Sequence, residues 1–360
     1  MKHASEYRDP TISRKLVKLI KARAKRPVRL MEVCGTHTMS IFRSGIRSLL
    51  PETVSLVSGP GCPVCVTDQS EIDAFIRLAR EEDVILATFG DLMRVPGSDS
   101  SLQKERAAGR DVRMVYSTGD ALELARTHPD RRVVFLGVGF ETTAPTVAAA
   151  VLMAAGEGLE NFSVFSAHKL VIPALFFLAG MPDIRIDGFL LPGHVSVIIG
   201  LDAYRPFHQA SGLPCIVAGF ESSDILGAVA GLLDAISTGK PVLANAYPRA
   251  VTAEGNARAM ALLDKVFRPA DAVWRGMGMI SQSGLVIRDE YAAHDASRIF
   301  DIRLEAAAEP KGCKCGAVIT GRITPPDCTL FKKRCTPATP VGPCMVSSEG
   351  TCAAYYRFCS

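Results

Sequence analysis

The chain has 360 residues, 48% apolar and 22% charged, with a net charge of +4. That balance predicts packed cores, with room for two ordinary domains and a small appendage, and excludes a disordered chain. No apolar run reaches the roughly 18 residues that span a bilayer, and the stretch from Met1 to Pro10 lacks an apolar signal core. A cytoplasmic protein away from membranes is expected.

In chain order, the basic cluster from Arg14 to Arg29 comes first. No aromatic-rich basic stripe accompanies it, so it reads as a solvated helix face, and no nucleic-acid partner is expected. A repeated unit follows: a short apolar, β-branched run, a Gly-, Ser- or Thr-rich loop, then a helical pattern. The runs fall at 28–33, 54–57, 84–88, 112–116, 133–138, 162–165, 186–191 and 215–218. They are mainly apolar instead of alternating, as strands buried on both faces are. Helical stretches at 69–80, 144–155 and 223–236 separate several of them. The alternation predicts a parallel α/β architecture.

Eight such units can close into a barrel. Two doubly wound sheets of four strands are preferred, because a polar, Pro-containing break at 127–132 divides the runs into two sets. The expected domains are 1–127, 128–310 with a helical extension over 240–310, and a cysteine-rich module at 311–360.

Ligands of open α/β sheets bind outside the carboxyl ends of the strands. Here those ends read Cys34-Gly-Thr-His37, Gly59-Pro-Gly-Cys62-Pro-Val-Cys65, Phe89-Gly-Asp91, Ser117-Thr-Gly-Asp120, Gly137-Val-Gly139-Phe-Glu141, Ser166-Ala-His168-Lys169, Pro192-Gly-His194 and Gly219-Phe-Glu221. Thiols, imidazoles and carboxylates concentrate there. Asp91 and Asp120 are expected as helix N-caps. His194, flanked by Pro and Gly, is poorly explained by packing. Gly137-x-Gly139 lacks a third glycine and carries Glu141, which would repel a pyrophosphate, so a dinucleotide site is rejected.

The eleven cysteines sharpen the picture. In a reducing compartment thiols serve metals or redox chemistry ahead of disulfide frameworks. Cys62-Pro-Val-Cys65 precedes a helix, whose N-terminus favours thiolate. Redox or labile-metal use is preferred over structural zinc, because no second CxxC completes a four-cysteine zinc set. Cys34 ends the first run, and His37 can raise its thiolate character or orient a ligand. If the two strands are neighbours, about 4.8 Å apart, then Cys34, Cys62 and Cys65 can meet around an iron.

Seven cysteines lie between Cys313 and Cys359. With Gly and Pro around them, backbone amides are free to bond sulfur, as in Fe–S sites. Six exceed the needs of one [4Fe–4S] cluster. Cys328, Cys335, Cys344 and Cys352 are preferred as ligands for their even spacing. Cys313 and Cys315 are then accessory thiols or replacement ligands, and Cys359 is a spectator. Zinc remains the alternative metal.

Taken together, Cys34-Gly-Thr-His-Thr38, Gly59-Pro-Gly-Cys-Pro-Val-Cys65, Gly137-Val-Gly-Phe-Glu-Thr-Thr143, Leu191-Pro-Gly-His-Val195 and Cys344-Met-Val-Ser-Ser-Glu-Gly350 resemble the HypD family of hydrogenase maturation factors. The likeness runs from about residue 28 to the C-terminus. It implies a scaffold, working with the small chaperone HypC, on which the Fe(CN)2CO group of [NiFe]-hydrogenases is assembled. The cyanide comes from HypE, which the carbamoyl transferase HypF supplies. It implies that Cys34 binds the iron together with a HypC cysteine, that Cys62 and Cys65 are the redox pair, that His194 and Glu349 serve function, and that the tail carries a [4Fe–4S] cluster. Two further readings use the same residues: a cluster-dependent protein disulfide reductase and a zinc-stapled binding module.

Overall fold

The computed structural model describes Tyr7 and residues 9–359. Its strands are β1 Val28–Glu32, β2 Val54–Ser58, β3 Val84–Thr88, β4 Val112–Met114, β5 Arg132–Gly137, β6 Phe162–Ser166, β7 Gly188–Pro192, β8 Cys215–Ala218, β9 Leu243–Asn245, β10 Phe267–Trp274 and β11 Gly278–Ile287. They form two open parallel sheets and a hairpin. The first sheet has the order β2-β1-β7-β8-β9, the second β4-β3-β5-β6, and β10 pairs with β11. The α/β class and the paired doubly wound sheets are as expected; a closed barrel is not formed.

The strands are not shared out in chain order. The chain leaves the first sheet after β2, builds the whole second sheet, and returns to place β7 beside β1. The boundary expected at 127/128 therefore falls inside a sheet, between β4 and β5, which both pair with β3. The polar stretch there is an ordinary helix-to-strand turn: the helix Thr118–Thr127 ends and β5 begins at Arg132.

Alternation along the strands explains why both sheets stay together. Met31, Phe189, Leu191 and Val217 of the first sheet share one core with Leu86, Val134, Leu136 and Phe165 of the second. The opposite faces pack on separate helices. Leu30, Leu190 and Ile216 lie with Ile20 and the helix Ser222–Thr238, and Ile85, Phe135 and Val164 with the helix Ala144–Glu157. Strands buried on both faces need mainly apolar residues, hence the unbroken apolar runs. The basic helix Pro10–Arg23 buries Ile20 and pairs Arg23 with Asp234, 3.0 Å away.

The region 240–310 departs from its expected helical character. The helix Ala257–Val266 is present, but 267–287 is the antiparallel β10–β11 hairpin. A register shift near Asp271 breaks the hairpin's period, which hid it from pattern reading. The tail contributes Cys315, Val318, Ile319, Cys344 and Val346 to the shared core. It is stapled to the main body and has no large core of its own.

Candidate functional site

Cys34 sits at the carboxyl end of β1, in the N-cap position of the helix Gly35–Arg43. Its amide donates to Glu32 Oε2 at 3.1 Å, and Gly35 N–H donates to Gly61 O at 3.0 Å. The CxxC loop thus lies directly against it. A Cβ on Gly61 would stand 2.1 Å from the Cys34 nitrogen, so only glycine permits this approach. Burial pushes the Cys34 thiol up to about 12, against the opposing hydrogen bond of the His37 amide, with Glu349 and Glu32 adding to the rise. The protonated thiol is the resting form.

Cys62 and Cys65 are joined as a disulfide, with Cα atoms 5.2 Å apart, at the start of the helix Pro63–Val66. Cys34 is therefore the free thiol of the three in this state, and among the described residues no three metal-ligating side chains converge as the ligand set of a single ion. The three-thiol meeting point expected from the sequence would need the disulfide reduced.

The histidines divide in role. His37 does not act on the Cys34 sulfur through its ring. Nε2 contacts the carbonyls of Ala218 and Gly219 at 3.1 and 2.9 Å, and burial holds the imidazole down to about 4. It ties the Cys34 helix to the end of β8. His194, at the carboxyl end of β7, lies tilted against Phe220 with centroids 4.0 Å apart. Burial lowers its pKa while the nearby Glu349 raises it. Glu349 accepts from Thr36 Oγ1 at 2.5 Å and packs on Gly35. The fold thus gathers Cys34, the CxxC pair, His194 and Glu349 from four distant stretches of chain.

The tail cysteines form a second gathering. Cys313, Cys315, Cys328, Cys335, Cys344 and Cys352 line one pocket, together with Lys314, Gly342 and the apolar Val318, Leu330, Phe331 and Met345. Cys313, Cys315, Cys344 and Cys352 follow one another as neighbours; the neighbouring thiols pull in both directions and burial adds to the rise, which leaves all four above the ordinary thiol range. Cys352 N–H donates to Cys344 Sγ at 3.3 Å and Val341 N–H to Cys335 Sγ at 3.4 Å. A Cβ on Gly342 would lie 2.7 Å from Cys313 Sγ. Six soft donors, an apolar wall and amides aimed at sulfur fit an iron–sulfur cluster. Cys359 is outside this pocket and packs near Met39 and Phe42.

A family model described as HypD, hydrogenase formation hypA family, matches residues 11–359. The hydrogenase maturation factor HypD of Rhodobacter capsulatus is 48% identical over 99% of this chain and 98% of its own length. The Azotobacter vinelandii HypD is 46% identical (99% and 97%), and that of Escherichia coli 43% identical (99% and 98%). The chain belongs to the HypD family.

In this HypD-family chain several site residues escape a motif reading. Asp91 does not cap its own helical turn. It accepts from Ser347 Oγ at 3.1 Å and from Ser348 N and Oγ, both at 3.2 Å. Ser347 Oγ in turn lies 3.3 Å from Cys62 Sγ. Glu32, directly under Cys34, is buried, bonded to Thr38 and pushed up to about 7 by burial. A charged residue inside an apolar run was its one sequence signal. Phe220, which bridges His37 and His194, carried none.

The other strand-end groups make local contacts. Asp120 is the third residue in a capping box whose cap is Ser117. Glu141 Oε1 accepts from Val171 N–H at 2.9 Å, while burial pushes the carboxyl up to about 7. His168 Nδ1 meets Ser166 Oγ at 3.0 Å, and burial holds the ring down to about 3. Lys169, 1% exposed, pairs with Glu71 at 2.7 Å.

Proposed function

We propose that this protein serves hydrogenase maturation as a redox-active scaffold on which, together with HypC, the Fe(CN)2CO group is assembled, with cyanide delivered by HypE. One observation supports this reading above the rest. The backbone of Cys34, a free thiol, packs against Gly61, the residue before the Cys62–Cys65 disulfide, and that disulfide touches the tail next to a six-cysteine pocket.

Each residue then has a task. Cys34 holds the iron substrate as a thiolate, a strong donor to it. Burial holds the proton on the Cys34 thiol, so iron has to displace it on binding. Glu32, hydrogen-bonded to the Cys34 amide, and Glu349, across Gly35, are the nearby acceptors. The Cys62–Cys65 bond stores two electrons: reduction breaks it and yields two thiols beside Cys34. His194, held on Phe220 and facing Glu349's charge, orients the open side of the site. In the tail, Cys328, Cys335, Cys344 and Cys352 are the proposed cluster ligands, with Cys313 and Cys315 as accessory thiols or replacements. The contact chain from Cys313 to Cys352 gives those replacements weight. A cluster there supplies electrons singly.

The disulfide-reductase reading uses the same residues, but Cys62 and Cys65 are only 5% and 1% exposed. A protein thiol would have to reach a buried bond, which speaks against it. Cyanide bands in the infrared spectrum of the wild type decide between the two, because only the scaffold carries them, and Cys34→Ala tests the iron ligand. The expected result is loss of hydrogenase maturation, and of cyanide bands in the infrared spectrum, while the tail's visible absorption persists. Full maturation by that variant overturns the scaffold reading.

A further inference from the structure

Four strands end the two parallel sheets, and three of them are short or bridged by another segment. β9 and β4 have three residues each, and β6 is bridged at Val164 by Asp295. β2 differs: it is five residues long and stands at the edge of the first sheet beside β1. Its ladder fixes which groups face outward. Val28 N–H donates to Thr53 O, and Gly59 N–H donates to Glu32 O. A parallel ladder in that register uses the N–H and C=O of Ser55 and Val57. The N–H and C=O of Leu56, the C=O of Val54 and the N–H of Ser58 therefore point away from the sheet. Among the described residues they have no backbone partner. Such a row is a template for one more strand.

A groove of about 360 Å³ runs along this edge, and all five residues of β2 line it. Successive strand residues face opposite sides of a sheet, so a cavity touching all five opens on the strand's edge. The tail forms the opposite wall. Three arginines and one aspartate face the groove. Arg322 is paired with Asp183 at 2.6 Å, and Asp327 is bound to Thr324. Among the described residues the Arg29 side chain reaches only the Gly321 carbonyl, at 2.7 Å. Arg47 lies over the Phe42 and Tyr355 rings and donates to Tyr355 OH at 3.0 Å. Its Nε is buried with no hydrogen-bond partner among the described residues. Neither Arg29 nor Arg47 has a salt bridge among the described residues, so the groove is left with positive charge beside a free strand edge.

We propose that this groove takes an extended acidic segment of a partner protein as a sixth strand beside β2, with its carboxylates on Arg29 and Arg47. The main-chain bonds would supply affinity and the guanidinium–carboxylate pairs register, as in other strand-addition complexes. This surface is distinct from the thiol site, and its test is independent of it.

Fluorescence anisotropy with the full-length protein and a labelled, acetylated peptide of alternating Glu and Val tests the proposal. Saturable binding is expected. It should fall at least tenfold when the amides along one edge of the peptide are N-methylated, and little when those along the other edge are. Arg29→Gln or Arg47→Gln should weaken it by a similar factor, and so should raised salt. The N-methylated pair needs no protein variant, so a misfolded Arg47→Gln leaves the test intact. The proposal is overturned by absence of binding, by indifference to which edge is methylated, or by equal binding of a Lys/Val peptide. A dimer of the free chain that the arginine substitutions dissolve also overturns it, because the groove would then belong to a second copy.

Discussion

The hydroxyl of Ser347 lies 3.3 Å from the sulfur of Cys62. It also meets Asp91 at 3.1 Å, and it directly follows the helical turn Pro343–Val346 that carries Cys344. One buried side chain thus joins the disulfide, the second sheet and the cysteine pocket. A hydroxyl beside sulfur stabilises the reduced form by a hydrogen bond that the disulfide makes less well. Ser347→Ala should therefore shift the Cys62–Cys65 potential downward by about 20 mV, the equivalent of roughly 1 kcal/mol for a two-electron couple. A thiol–disulfide titration of the purified protein reads the shift, and an unchanged potential removes Ser347 from the redox site.

The Lys169–Glu71 pair is a second buried contact with a measurable consequence. Lys169→Met leaves the Glu71 carboxylate uncompensated in the core and should cost about 3–5 kcal/mol. Replacing both partners by apolar residues should recover much of that loss. Denaturant unfolding of the two variants compares them directly.

Glu141 gives a pH signature. Its carboxyl titrates near 4.5 when unfolded and about 7 when folded, burial being the cause. Folding therefore favours the protonated form. That contribution is complete below pH 4.5 and is lost as pH rises through 7. Glu141→Gln keeps an acceptor for the Val171 amide and removes the titration. The variant should match the wild type at pH 5 and exceed it by on the order of 2–3 kcal/mol at pH 8. Glu32, raised for the same reason, keeps its own share, so the dependence shrinks without vanishing. Urea melts across that pH range test it.

Single Ser substitutions of the tail cysteines sort the ligands. Cys344→Ser and Cys352→Ser, whose sulfurs adjoin and which share an amide-to-sulfur hydrogen bond, should bleach the visible absorption of anaerobically purified protein. Cys359→Ser should leave it unchanged. Comparing Cys313, Cys315, Cys328 and Cys335 in the same assay separates ligands from accessory thiols. A colourless wild type carrying zinc would replace iron as the occupant.

Much of this was legible in the residues because it depends on local pattern. Strands buried on both faces must be apolar, so all eight runs from 28 to 218 were found as strands. A CxxC before a helix and a cysteine-crowded tail announce thiol chemistry wherever they lie. The hairpin at 267–287 was missed because Pro269, a register shift and its glycines break the alternation that marks a strand.

By itself, the sequence determined the strands from 28 to 218, the carboxyl-edge position of Cys34, Cys62, Cys65 and His194, and the tail as a single thiol-rich unit. Only the tertiary structure decided who meets whom. Periodicity states that a segment is a strand and which residues are buried, but not its neighbour, because any apolar strand can pair with any other through the same backbone groups. The return of β7 to the side of β1 brings His194 to Cys34. The docking of the tail sets Ser347 on Cys62 and Glu349 on Gly35, across more than 280 residues of chain. Those contacts depend on the packing of three separate cores against one another, which no local pattern records.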